Sequence, residues 1–153
     1  MVLTALIALQ VFFIRDRRRQ ETEAATPVHY LQEVIDTFKD GVGFALTNAQ
    51  RIATWQIFKD IARPIPMNRL LNGDVGSGKT AVAAAAVAMT HAAGLQSVVM
   101  APTEILARQH LVKFRGYLQA SFQDLKVDPL VSGSQAEERR HVQRAVECGQ
   151  TAR

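Results

Sequence analysis

The segment GDVGSGKT, Gly73 to Thr80, constrains the fold of this chain more than any other. Gly73, Gly76 and Gly78 fall within six positions, and glycine takes left-handed backbone without the steric cost other residues meet. The stretch therefore reads as a loop between two regular elements. The short apolar run MNRLLNG leads in, and KTAVAAAAVAMTHAA leads out. The first reads as a strand over Arg69 to Asn72. The second is alanine-rich and strongly helix-favouring from Lys79 onward, and Gly94 is placed to terminate it.

The pattern continues downstream. QSVVMAP, Gln96 to Pro102, reads as a buried strand. TEILARQHLVKFRGYLQA reads as a helix whose apolar face includes Ile105, Leu106, Leu111 and Phe114. KVDPLVSG is a third, weaker strand, and SQAEERRHVQRAVECG a polar-faced helix. From Leu70 the order is β-α-β-α-β-α, which predicts an α/β fold: a parallel sheet with helices on its faces. Upstream, HYLQEVIDTFKDG sets Leu31, Val34, Ile35 and Phe38 on one helical face, with Gly41 and Gly43 to stop it. Thr47-Asn48 can cap the next helix, AQRIATWQIFKDIA. Its apolar positions are Ile52, Trp55, Ile57, Phe58 and Ile61, and Pro64 and Pro66 end it.

With 153 residues, the chain has room for one modest domain with a real core. Its net charge of +4 fits a polyanionic partner without demanding one. Cys148 is the sole cysteine, so no intrachain disulfide forms and a reducing, cytoplasmic setting is expected. The four histidines form no cluster with cysteine at zinc spacing, so no structural metal is expected. The apolar stretch Val2 to Ile14 falls short of the roughly 20 residues a membrane span needs. Its arginines follow it rather than precede it, unlike a signal peptide. Residues 3–23 read as a packed helix with a basic end, with no membrane as partner.

The spacing Gly73-x-x-x-x-Gly78-Lys79-Thr80 has a chemical reading. Backbone N–H groups of the loop, formed by Gly73, Asp74, Val75, Gly76, Ser77 and Gly78, wrap phosphate oxygens. The helix starting near Lys79 aims its positive end at the same anion. Lys79 neutralises the β- and γ-phosphates of ATP, and Thr80 gives its hydroxyl to Mg²⁺. Lys79 and Thr80 are the candidate catalytic residues, and Thr80 the metal contact made through ATP.

Four segments in order resemble the RecG-type ATP-dependent DNA helicases of superfamily 2. They are FALTNAQ (Phe44–Gln50), PMNRLLNGDVGSGKTAVA (Pro66–Ala83), APTEILARQH (Ala101–His110) and SGSQAEERR (Ser132–Arg140). The transcription-repair coupling translocases share the glycine-loop idea but usually carry a bulky residue where Ser77 stands, and the primosomal helicases are more distant. The resemblance implies a P-loop, RecA-like domain. It implies that Gln50 meets the adenine edge and Phe44 stacks on the ring, although Phe44 serves equally as core and Gln50 as an exposed residue at a helix start. It implies DNA-backbone contacts from Thr103, Arg108, Gln109 and His110, and from Ser132, Gly133 and Ser134. Arg108 and His110 read equally well as a solvated helix face. By the resemblance, Glu137, Glu138, Arg139 and Arg140 also lie in a contact segment, but such runs are more often solvated.

The resemblance further implies an acidic D-E-x-H/Q motif that holds Mg²⁺ and orients water. The sequence runs to Arg153 without it, and Asp128 in LKVDPL is a poor substitute with Pro129 next to it. The expectation is a fragment: residues 1–40 a helical linker from a preceding domain, residues 41–153 the N-terminal part of the ATP-binding domain. The whole would translocate on double-stranded DNA and remodel forks and Holliday junctions in recombination and repair. The alternative is a P-loop module that binds nucleotide without catalysis. An incomplete sheet also predicts marginal stability or self-association. The pure 153-residue chain is expected to release no phosphate from ATP on adding DNA, which a malachite-green assay checks.

Overall fold

The computed structural model of the chain describes residues 23–131 and 136–147. Among them are five helices: α1 Gln32–Val42, α2 Asn48–Ile61, α3 Lys79–Ala92, α4 Glu104–Leu118 and α5 Ala136–Glu147. The helix expected over residues 3–23 falls almost wholly outside the described residues, and Ser132, Gly133 and Ser134 lie outside them too.

Helix α3 stands at the centre. Ala81, Ala84, Ala85 and Ala88 recur at i, i+3, i+4 and i+7, and all are fully buried. Methyl groups alone on that face allow close approach, and α1, α2 and α4 all pack against α3. Phe38 of α1, Phe58 of α2, Phe114 and Leu118 of α4, and Met89 of α3 itself complete the core. Each such large side chain contributes about 1.5–3 kcal/mol on burial. The chain reaches α1 along the C-terminal end of α2. Ala25 N–H donates to the Pro64 carbonyl at 3.0 Å and Val28 N–H to the Ile61 carbonyl at 2.9 Å. Leu31, which caps α1 without a side-chain hydrogen bond, donates its N–H to the Met89 sulfur at 3.4 Å.

Helix ends follow the local chemistry. Gly43, with φ 74°, closes α1 in the left-handed conformation. Gly94, with φ 73°, follows α3, and its N–H returns to the His91 carbonyl at 2.8 Å. Gly41 does not stop α1 as expected but lies inside it. Its role is packing: a Cβ there would sit 1.7 Å from Ser121 Oγ and 2.9 Å from Ser121 Cβ. Helix α1 thus runs through residues 40 and 41 without a break.

The parallel sheet is the main departure from the sequence reading. No strand occurs among the described residues. The segments expected as strands, Arg69–Asn72, Gln96–Pro102 and the described part of KVDPLVSG, Lys126–Val131, run without regular structure. A parallel ladder requires strands aligned about 4.8 Å apart, and no backbone pairing joins these segments. The run QSVVMAP is therefore not buried: Val98 is 80% and Met100 91% exposed. Such a run is buried only when strands flank it and layers cover both faces. Here the two downstream segments flank an open cavity of ≈ 440 Å³, with Val87, Leu111, Phe114 and Val142 among its walls.

Two helical faces also differ from expectation. On α2, Thr54, Ile57 and Phe58 face the core, while Ile52 is 60% exposed and Trp55 packs its ring edge-to-face on Tyr30 at 5.2 Å. On α4, Phe114 and Leu118 are buried, whereas Ile105 and Leu106 are exposed. Both sequences carry more apolar positions than one stripe can hold, so the neighbours decide which are covered.

Because Ser121 fills the space beside Gly41, Gly41→Ala is expected to destabilise the protein by about 1–3 kcal/mol. Adding Ser121→Gly should recover much of that loss, read as urea midpoints of the single and double variants.

Candidate nucleotide site

The glycine loop lies where the alanine helix begins. Gly76 and Gly78 take φ of 85° and 80°, conformations open to glycine at no steric cost. Gly78 is the residue immediately before α3, so the loop turns directly into the helix N-terminus. Ser77 N–H donates to the Asp74 carbonyl at 3.2 Å, and Asn72 Oδ1 accepts from Gly73 N–H at 2.9 Å. A Cβ on Gly73 would lie 2.8 Å from Ser77 Oγ, a hydroxyl that can rotate aside. Val75 projects fully into solvent from the loop tip.

Lys79 reaches back across this loop. Its Nζ donates to the Gly73 and Asp74 carbonyls, each at 2.7 Å. The ammonium thus rests on the loop at an exposed position. Thr80 follows in the first turn of α3, half-buried.

Helix α2 brings Gln50 to the loop. Thr47 caps α2 in a reciprocal box: its hydroxyl accepts from Gln50 N–H at 3.3 Å, and Gln50 Oε1 accepts from Thr47 N–H at 2.8 Å. The other end of the same amide, Nε2, donates to the Ser77 carbonyl at 2.8 Å. A Cβ on Gly78 would approach that nitrogen to 2.2 Å, so glycine is required for the contact as well as for the turn. Phe44 is half-exposed and meets Tyr117 edge-to-face, with ring centroids 6.0 Å apart.

The α4 residues do not act as one group. Thr103 caps α4, its hydroxyl accepting from Leu106 N–H at 3.3 Å. Arg108 is exposed and holds Glu104 Oε1 through Nε and Nη2, at 3.0 and 2.8 Å. Gln109 is exposed. His110 instead lines the apolar cavity, and its Nδ1 is buried without a hydrogen-bond partner among the described residues.

One contact escaped the sequence reading. Arg69 Nε donates to Asp60 Oδ2 at 2.6 Å, and Nη1 to Gln56 Oε1 at 3.1 Å. The available signal was the i, i+4 spacing of Gln56 and Asp60, which puts both acceptors on one face of α2.

A family model described as DEAD/DEAH box helicase matches residues 47–149, from the Thr47 cap through the loop and beyond α5. The chain belongs to the DEAD/DEAH box helicase family. Membership in this helicase family implies the RecA-like α/β class. Among individual proteins, the chain is similar to the ATP-dependent DNA helicase RecG of Synechocystis sp., 35% identical over 143 residues, which cover 93% of this chain and 17% of that protein. It is 40% identical to the protein of the same name from Staphylococcus aureus, over 83% of this chain and 18% of the relative. The Staphylococcus epidermidis counterpart is 45% identical over 62% of this chain and 14% of its own length. The chain therefore spans about one sixth of the length of the relatives it matches. These matches agree with the RecG-type resemblance read from the four motifs. No solved structure matches the chain.

Thr47→Ala is expected to destabilise this helicase domain by about 1 kcal/mol through loss of the cap. Combining it with Gln50→Ala should cost less than the sum of the two single changes, because the box is shared. Denaturant midpoints of the four proteins check this.

Proposed function

We propose that this chain is the ATP-binding part of a RecG-type DNA helicase or translocase, one that uses ATP hydrolysis to remodel forks and Holliday junctions in recombination and repair. The observation that carries the reading is Lys79 folded over a loop whose two left-handed glycines run straight into the N-terminus of α3. A cation beside a glycine-rich loop and a helix dipole together suit a polyphosphate. The similarity to proteins named ATP-dependent DNA helicase RecG, over most of this chain, supports the choice of reaction.

In this reading Lys79 exchanges the Gly73 and Asp74 carbonyls for the β- and γ-phosphate oxygens. A stronger, fully charged pairing replaces two neutral acceptors. The amides of Asp74 to Thr80 line the phosphate chain, and Gln50 and Phe44 stand on the adenine side. Gln50 retains one N–H and one oxygen lone pair for that purpose beyond its two existing bonds.

Mg²⁺ fits the donor set as an ion held through substrate phosphates. Thr80 offers one hydroxyl, and no cluster of three or more His, Cys, Asp or Glu occurs among the described residues. Bound there, Mg²⁺ would neutralise charge developing on the transferred phosphoryl group.

Thr103, Arg108 and Gln109 lie at or after the start of α4, suited to phosphates of a DNA backbone. The segment Ser132-Gly133-Ser134 belongs to the same proposed contact set, with branched double-stranded DNA as substrate, whereas His110, turned into the apolar cavity, drops out of it. Residues 1–40 would link a preceding domain to the motor segment 41–153, in a cytoplasmic protein. No helix among the described residues is long and apolar enough to cross a membrane.

Lys79→Ala in the intact protein is expected to lower DNA-stimulated ATP hydrolysis by about 10²-fold or more and to abolish unwinding. Affinity for branched DNA should stay nearly unchanged, because the proposed DNA contacts lie elsewhere. Phosphate-release and filter-binding assays on the same preparation check both. Unimpaired hydrolysis would remove the proposal.

A further inference from the structure

We infer that Arg69 is a positioning residue for the phosphate loop, one of two struts by which α2 holds that loop at its two ends. The inference rests on the ATP-binding reading of Gly73–Thr80 and deepens it. Arg69 lies four residues before Gly73. Its guanidinium takes the Asp60 carboxylate at 2.6 Å and the Gln56 amide oxygen at 3.1 Å. Both acceptors lie on α2, and the ion pair is only partly accessible: 35% for Arg69 and 23% for Asp60. Partial shielding and a two-pronged, charge-assisted geometry distinguish it from an ordinary exposed pair.

The second strut is Gln50 at the opposite end of the same helix, whose amide meets the Ser77 carbonyl at 2.8 Å. Gln50 and Asp60 are separated by about 15 Å of rigid helix. The loop therefore spans two anchor points whose separation α2 sets: the lead-in at Arg69 and the return at Ser77. Leu70, the residue after Arg69, is 89% exposed. The guanidinium restrains the start of the loop against α2. Lysine cannot substitute fully, since one ammonium lacks the planar fork that reaches two acceptors four residues apart.

Loop amides bind phosphate well only when held near the productive geometry. Releasing one anchor should therefore weaken capture of ATP more than turnover of ATP already bound. The experiment is DNA-stimulated ATP hydrolysis by the intact protein carrying Arg69→Met, Asp60→Asn or both. Each single variant is expected to raise KM for ATP about five- to tenfold, with kcat within about twofold of wild type. The double variant should be no worse than the worse single variant, because both remove the same contact.

An unchanged KM overturns the inference. So does a fall in kcat at constant KM, which reports only a smaller folded fraction, and so do additive losses in the double variant. If Arg69→Met does not fold, Arg69→Lys keeps the charge without the fork. Its KM is expected to rise about threefold, and an unchanged value overturns the inference equally. A wild-type protein that neither binds nor hydrolyses ATP overturns the parent reading and this inference with it. An active wild type with indifferent Arg69 variants overturns this inference alone.

Discussion

The alanine face of α3 is the constraint on which the rest of the arrangement depends. Four methyl groups, from Ala81 to Ala88, let three helices pack against one without large side chains intervening. The phosphate loop opens into the first residue of that helix. A buried, rigid α3 therefore orients the loop's backbone amides and its helix dipole together. Core and site share one element, so any large residue on the alanine face would disturb both.

Helix α2 complements α3 through polar contacts. The Thr47–Gln50 box is a local device that many helices use to satisfy their first N–H groups. Here the same glutamine also meets the Ser77 carbonyl across 27 positions of sequence. At the far end, Asp60 and Gln56 hold Arg69. The face of α2 that buries Ile57 and Phe58 secures the helix against the core, and its polar groups are then free to meet the loop. Packing energy holds the helix, and hydrogen bonds of modest individual worth set a geometry.

Local signals in the sequence read well where one residue's backbone preference decides. Lys79 as the first residue of α3, Thr47 as a cap, Gly43 as a stop and Gly94 as the turn after α3 all follow from capping and left-handed preference. Reading failed where the outcome needs a partner. Val98 and Met100 sit in a run that fits a buried strand, yet a strand is defined by hydrogen bonds to a neighbour. Ile52 and Ile105 are largely exposed and Leu106 partly so among the described residues. Gly41 looked like a stop, and only Ser121, brought close by folding, shows it to be a contact point.

The sequence alone determined the phosphate-loop pattern, the helix starts and stops around it, and the family to which the chain belongs. These depend on short-range chemistry: a glycine's φ, a threonine's reach to the third N–H, an ammonium one residue past a turn. Only the tertiary structure decided that Lys79 rests on the Gly73 and Asp74 carbonyls, that His110 turns into an apolar cavity away from Arg108, and that Arg69 is tied to α2. Those outcomes depend on which surfaces meet when the helices close on Ala81 to Ala88. A contact across tens of residues leaves no periodic trace in the chain that makes it.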